Sequence, residues 1–212
     1  MQPLSKGFYL GSILGGLGLG ALLLIIGIVA ASENAGAGLA FMCFGYLPMI
    51  YGSVVVCVLV YKLWAAIQDG RPRTTPGKAV GFLFIPFFNL YWGFQAYWGW
   101  TQDFNRHVAE RNIPAPRMPE GLALTMCIFI LATMIPFVGL VLVPVNLVLF
   151  VVFFNSAING VNALAAARAA APPAAPAAPG AVPSLTCRNC GQVVTPTAAF
   201  CPTCGHSLRG VP

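Results

Sequence analysis

Charged side chains are scarce in this sequence, and acidic ones are the scarcest. Only 8% of the 212 residues are charged, with 5 Asp and Glu against 11 Lys and Arg, whereas a soluble domain carries about 25% charged residues. Hydrophobic residues make up 58% of the chain, and the mean hydropathy is +0.80. These values argue against a soluble globular protein and predict an integral membrane protein.

Asp, Glu, His, Lys and Arg are missing altogether from three apolar runs, 8–31, 39–61 and 122–160. Proton relays and ion-coupled transporters usually carry such a group inside the membrane. The motifs G-x-S-x-G and H-E-x-x-H, typical of hydrolases and zinc proteases, are also missing. The sequence therefore gives no support for a pump and predicts no enzymatic activity.

Four apolar segments have the length and composition of membrane spans: 8–31, 39–61, 121–135 and 141–160. The first is longer than the apolar core of a signal peptide, which has about 7–15 residues, so we expect it to remain as a span. Residues 121–160 are too long for one crossing, and Pro136 with Gly139 predicts a turn between two short spans.

The aromatic segment 82–100 decides the topology. Ten of its 19 residues are Phe, Tyr or Trp, and Pro86, Asn89 and Gln95 interrupt the run. Trp and Tyr concentrate at the membrane–water interface, which favours an interfacial or re-entrant helix, and every loop Lys and Arg then lies on one side, as the positive-inside rule expects. The predicted fold is an all-α membrane bundle of four spans plus this element, and five spans, with 82–100 crossing, stay as the alternative.

The C-terminal tail contains two paired cysteine motifs, each with Gly after its second Cys. The ligands Cys187, Cys190, Cys201 and Cys204 suit a tetrahedral, structural Zn²⁺ with no open position. This spacing resembles that of the short zinc ribbons appended to many prokaryotic proteins, and we expect Phe200 to supply the small apolar core. The tail has two arginines and one aromatic residue, so nucleic-acid binding is not expected.

The domain boundaries follow composition. Residues 1–164 form the predicted membrane domain, 165–183 an Ala- and Pro-rich flexible linker, and 184–212 the zinc ribbon. Thiols that bind metal imply a reducing compartment. We therefore expect a multi-pass protein of the bacterial inner membrane, with the N-terminus and the ribbon in the cytoplasm.

Two further patterns leave alternatives open. Gly7, Gly11 and Gly15 recur every fourth residue, which suits either a homo-oligomer seam or packing within one chain. Asp103, His107 and Glu110 share one helical face, and we interpret them as a solvated, salt-bridged surface; the alternative is an enzyme-like or metal-binding trio. Other polar or repeated features are a face of the last helix (Asn155, Asn159 and Asn162) and the tripeptide Ile-Pro-Phe, found at 85–87 and 135–137 and taken here as coincidence.

The segments KLWAAIQDG at 62–70, RTTPGKAV at 73–80 and FIPFFNLYW at 84–92 resemble a family of uncharacterised bacterial multipass membrane proteins, some with zinc-ribbon tails. The resemblance covers about residues 60–106 and implies an architecture but no activity. Our functional expectation is a non-enzymatic membrane adaptor that contacts the lipid bilayer and presents the ribbon to a protein partner. The alternative is a small channel or transporter.

Overall fold

The computed structural model describes residues 3–170, 185–187, 189–190, 192–194 and 200–207. The chain divides into two compact units, Met1–Ala169 and Ala170–Pro212. Helices make up the described part of the first unit: α1 Lys6–Ala31, α2 Ala35–Ala65, α3 Pro76–Gly81, α4 Phe88–Phe94, α5 Trp100–Glu110, α6 Glu120–Ala132 and α7 Val138–Ala170.

The first two predicted spans are confirmed as long apolar helices that form an antiparallel hairpin. Helix α1 begins at a Ser5 cap, whose side chain accepts a hydrogen bond from the Phe8 amide. Helix α2 begins at Asn34, whose side-chain oxygen accepts from the Gly36 and Ala37 amides at 2.9 and 3.1 Å. These caps satisfy amides that have no partner inside the helix. Both helices exceed the roughly 20 residues needed to cross a bilayer.

Glycines bring α1 and α2 into close contact. A Cβ atom added at Gly16 would lie 2.6 Å from the Pro48 carbonyl oxygen, and one at Gly27 would lie 3.1 Å from that of Gly38. Gly20 packs in the same way against Gly45 and Met49. Small residues allow this backbone approach in lipid, where close packing drives helix association.

We expect Gly16→Ala to destabilise the folded chain while Gly15→Ala does not. Alanine should stabilise an isolated helix by about 1 kcal/mol at either position. At Gly16 the new methyl group meets backbone atoms of α2, whereas at Gly15 nothing lies within 4 Å. Overpacking of this kind costs about 1–3 kcal/mol. Thermal unfolding midpoints in detergent check the prediction, and equal midpoints for the two variants would contradict it.

The aromatic segment 82–100 is not one continuous helix. A 3₁₀ turn at Phe82–Phe84 is followed by the 85–87 turn and α4, and a π-helical stretch, Gln95–Gly99, leads into α5. The physical reason for the break is Pro86, which cannot donate the amide hydrogen bond that a continuing helix requires. The segment therefore forms the apex and one arm of a short helical hairpin, which begins at α3.

The two Ile-Pro-Phe tripeptides form the same turn. Phe87 and Phe137 have φ values of 61° and 65°, which are uncommon for side chains other than glycine. In both turns the residue after Phe donates to the Pro carbonyl, at 2.7 and 2.8 Å, and the next amide donates to the Ile carbonyl at 3.0 Å. The second turn joins α6 to α7, where the sequence predicts a turn.

A buried aromatic cluster joins α2, α5 and α7. The indole nitrogen of Trp100 donates to the Leu63 carbonyl at 2.9 Å, and that of Trp64 donates to Ala96 at 3.1 Å. Phe153 of α7 packs edge-on against Trp100, with ring centroids 6.4 Å apart. These contacts fix the π-helical stretch between α2 and α7.

Helix α7 continues to Ala170, so the first part of the predicted linker, 165–170, is helical. Alanine has the highest helix propensity, and no proline occurs there before Pro172. The rest of the predicted linker, 171–183, lies outside the described residues. Among the described residues, three segments are long and apolar enough to cross a membrane, α1, α2 and Val141–Ala170 of α7, while α6 is apolar but shorter.

Candidate functional site

Two similar loops carry the four tail cysteines. In each loop the amide of the first Cys donates to a carbonyl five residues on: Cys187 to Gln192 and Cys201 to His206, both at 2.8 Å. Gly205 has a φ of +72°, which explains why glycine follows the second Cys of that loop. The strands β1 Leu185–Thr186 and β2 Val193–Val194 pair antiparallel beside the first loop. Each loop is therefore a tight turn that points two thiols inward.

The four sulfur atoms occupy the corners of a metal site. All lie within 4.8 Å of one another. The Sγ atoms of Cys187 and Cys204 are 3.7 Å apart, and those of Cys190 and Cys201 are 3.6 Å apart. A tetrahedron with Zn–S distances of about 2.3 Å has S–S edges of about 3.8 Å, so these distances fit Zn²⁺. Disulfide bonding requires about 2.05 Å, and the four cysteines are free thiols.

Local hydrogen bonding favours a thiolate at Cys204. The His206 amide and the Asn189 side chain lower the pKa of Cys204 to about 6. Metal binding requires the deprotonated form, which these donors favour at Cys204, whereas hydrogen bonds with the other thiols raise the pKa of Cys190 to about 12. Four thiolates leave no position for water, which makes the centre structural and gives it no catalytic chemistry of its own.

The prediction that Phe200 forms the ribbon core is wrong. Its side chain is 64% exposed, although its backbone pairs with Ser207 across an isolated β-bridge. The bridge places Phe200 at the edge of the loop, while the sulfur atoms of Cys187 and Cys201, both buried, form the interior.

A second polar centre lies in the Met1–Ala169 unit, called the membrane unit below, and is built around Asp103. This carboxylate is 2% exposed and accepts hydrogen bonds from the Arg73 amide at 2.8 Å and the Arg73 Nε at 3.1 Å. Arg106, one turn further along α5, donates to it at 2.8 Å and also to the Arg71 carbonyl. Charge-assisted bonds of this kind satisfy a carboxylate that burial would otherwise destabilise.

His107 belongs to a neighbouring cluster centred on Asp69. Arg168, near the end of α7, donates to the Asp69 carboxylate at 2.7 Å, and Arg111 donates to the Asp69 carbonyl. The Nη1 of Arg111 lies 2.6 Å from His107 Nδ1, and Arg168 Nη2 lies 3.3 Å from His107 Nε2. A neutral imidazole accepts at only one ring nitrogen, so one of the two guanidinium contacts is a hydrogen bond to His107 and the tautomer decides which.

The three residues predicted to share one face of α5, Asp103, His107 and Glu110, have different environments. Asp103 and His107 form ion pairs and polar contacts, but they are buried instead of solvated, because residues 69–74 and α7 cover this face of α5. Glu110 is exposed. Within the described residues, the cysteine tetrad is the one cluster of side chains placed to bind a metal ion. The partners Asp69, Arg73 and Arg168 carried no sequence signal, because they come from segments distant along the chain.

Protonation of His107 should weaken the folded state. Burial, followed by the charge of Arg111, lowers the pKa of His107 below its usual 6.5, and Asp69 and Glu110 only partly oppose this effect. Between the lowered value and 6.5 the unfolded chain binds more protons than the folded chain, so stability falls as the pH is lowered through this window. Unfolding midpoints measured from about pH 7.5 to 5.5 should show that slope, and His107→Gln should flatten it. An unchanged slope in the variant would contradict this assignment.

Two further predicted patterns are the asparagine face of α7 and the glycine stripe at Gly7, Gly11 and Gly15. Asn162 bonds the Leu4 backbone twice, at 2.6 and 2.9 Å, so it ties the start of the chain to α7. A Cβ atom at Gly7, Gly11 or Gly15 meets nothing within 4 Å, so packing within one chain does not explain that stripe.

Comparison with known proteins identifies the tail alone. The sequence model of the zinc-ribbon domain matches residues 186–208. No curated protein and no solved structure matches the chain. The protein thus combines apolar helices that are able to cross a membrane with a C-terminal zinc-ribbon domain that contains a cysteine tetrad suited to a structural metal.

Proposed function

We propose that this protein is a four-span membrane adaptor that presents its zinc ribbon to a protein partner in the cytoplasm. The observation that carries the topology is a set of contacts between residues distant in sequence. Each contact brings together two ends of a chain segment, so that segment has to return to the level from which it left. The contacts are Lys62 over the Tyr9 ring, Arg73 with Asp103, Asn105 with Met118 and Asp69 with Arg168.

These pairings imply an even number of crossings between the partners. The stretch from Tyr9 to Lys62 contains α1 and α2, which cross and return. The stretch from Arg73 to Asp103 begins and ends at one level, so 82–100 does not cross. Helices α6 and α7 leave from Met118 and return to Arg168, which gives four spans in total.

The resulting charge distribution supports a cytoplasmic orientation. Every Lys and Arg of the membrane unit then lies on one side, as the positive-inside rule requires of the cytoplasmic face. The ribbon follows on the same side, because residues 171–184 are rich in Ala and Pro and are shorter than the roughly 17 residues of a spanning helix. The residues counted here are Lys6, Lys62, Arg71, Arg73, Lys78, Arg106, Arg111, Arg117 and Arg168.

The ribbon's chemistry supports an adaptor role. Its metal centre is closed, so it supplies a rigid surface and no reactive position. Phe200, exposed beside Cys201, offers the kind of aromatic anchor that dominates protein interfaces.

Two reporters test the topology. A compartment-sensitive reporter is fused after Pro212 in one chain and inserted at Asn112 in another. We expect both to report the cytoplasm. An exterior signal from Asn112 and Pro212 together would make 82–100 a crossing and reverse the proposal.

A matched pair of ribbon variants tests the adaptor role. Phe200→Asp should remove the cross-linked partner of the full-length chain in membranes, while Thr203→Asp, at another exposed position of the ribbon, should retain it. Both variants should still bind zinc. A partner kept by Phe200→Asp, or lost equally in both variants, would count against Phe200 as the anchor.

A further inference from the structure

The hairpin of residues 76–100 exposes its most apolar residues at its apex. Phe87 is 88% exposed and Phe84 is 71% exposed, and Ile85 between them is also exposed. No charged residue occurs between 79 and 102. An apolar apex of this kind is unfavourable in water and favourable in hydrocarbon.

The two arms of this hairpin are packed against each other. Phe82 lies edge-on to Trp92, with ring centroids 4.8 Å apart, and to Phe88 at 5.7 Å. The indole nitrogen of Trp92 donates to the Ala79 carbonyl at 3.0 Å, which links the arms again. A helix lying flat at the interface would need one polar face along its length. This hairpin is instead polar at its base and, apart from the exposed Asn89, apolar at its apex.

Helices α6 and α7 form another hairpin. Hairpin 76–100 and the α6–α7 hairpin start at the same level, but hairpin 76–100 is shorter. Gly160 packs against Phe104, which adjoins Asp103, so the two hairpins share a base. At about 1.5 Å per residue, Phe88 lies about 22 Å from Asp103, whereas Val138 lies about 33 Å from Gly160. The hydrocarbon core is about 30 Å thick, so the α6–α7 hairpin reaches the opposite face and hairpin 76–100 ends near the middle.

We propose that hairpin 76–100 is a re-entrant lipid-binding element whose apex contacts the acyl chains of anionic phospholipids from the leaflet at its base. This inference rests on the proposed topology, which places both arms on one side. Trp98, partly exposed near the base, is of the residue type that meets headgroups at the membrane surface. The exposed cations Arg71 and Lys78 flank the base and complement an anionic headgroup.

Depth-dependent quenching in vesicles tests the proposal. The full-length, zinc-loaded protein carries Cys43→Ala, Cys57→Ala and Cys127→Ala, and one fluorophore is attached at Phe87→Cys or at Phe137→Cys. Lipids brominated at the chain terminus should quench the Phe87→Cys label most strongly. The Phe137→Cys label should be quenched best by bromine near the headgroup and by an aqueous quencher on the far side. The parent without an added Cys corrects for labelling of the ribbon.

The alternative outcomes are separable. If the Phe87→Cys label is quenched only by bromine near the headgroup on the Asn112 side, the element is interfacial and the re-entrant proposal fails while four spans stand. If an impermeant thiol reagent modifies Phe87→Cys from the side opposite Asn112, the segment crosses, and the topology fails as well. Brominated phosphatidylglycerol should quench more than brominated phosphatidylcholine at equal mole fraction, and equal quenching would remove the anionic preference.

Discussion

Replacing Cys187 and Cys190 together by serine is expected to abolish zinc binding and unfold the ribbon. Two of four ligands are lost, and a short module of this kind depends on its metal for most of its folding free energy, about 10–16 kcal/mol in comparable peptides at neutral pH. The two short strands and one isolated bridge could not replace that contribution. Zinc content of the purified full-length protein, measured by atomic absorption, should fall from about one ion per chain to none.

The matched control is a pair of cysteines in α2. Cys43→Ser with Cys57→Ser makes the same chemical change outside the tetrad, and it should leave zinc content unchanged. Protease treatment separates folding from binding, since the ribbon of the ligand variant should be digested while the membrane helices resist. Retention of a full equivalent of zinc by the ligand variant would show that the tetrad is not the metal site.

Replacing Asp103 by asparagine should destabilise the membrane unit by about 3 kcal/mol, the typical cost of breaking a buried ion pair by removal of one partner. The asparagine retains one acceptor oxygen but loses the charge that Arg73 and Arg106 both face. It also presents two donors to a site whose other groups are donors already. The two arginines are partly exposed, which keeps the expected cost at the lower end of the range for such pairs.

Glu110→Gln is the matched control on the same helix. Its carboxylate is exposed, so the same chemical change should alter stability by less than about 0.5 kcal/mol. Thermal or denaturant unfolding in detergent compares the two variants directly. Equal midpoints would mean that the Asp103 cluster contributes nothing to stability.

Local sequence rules predicted the ribbon well because its geometry is local. The two cysteines of each loop are three residues apart, and the glycine that follows the second permits the backbone turn at Gly205. The spacing alone therefore identified four cysteines whose sulfur atoms the structure brings within 4.8 Å of one another. The environment of Phe200 was missed because burial in so small a module depends on which side of the bridge the ring occupies.

The first two spans were predicted because length and hydropathy are properties of a continuous segment. Residues 82–100 were harder, since composition indicated an interfacial or re-entrant element but not a hairpin closed by contacts between its arms. The repeated Ile-Pro-Phe sequence, which we took as coincidence, specifies the same turn twice.

By itself the sequence determined the apolar composition, the first two long apolar helices and the four cysteines suited to a metal, since each depends on residues close together in the chain. Only the tertiary structure decided which charges meet. Asp103 pairs with Arg73 and Asp69 pairs with Arg168, and each pair joins segments that are distant in the sequence. Asp103 is buried, and a buried carboxylate is stable only beside a cation. The contacts that support the topology are therefore side-chain pairings between distant segments, which hydrophobic periodicity does not encode.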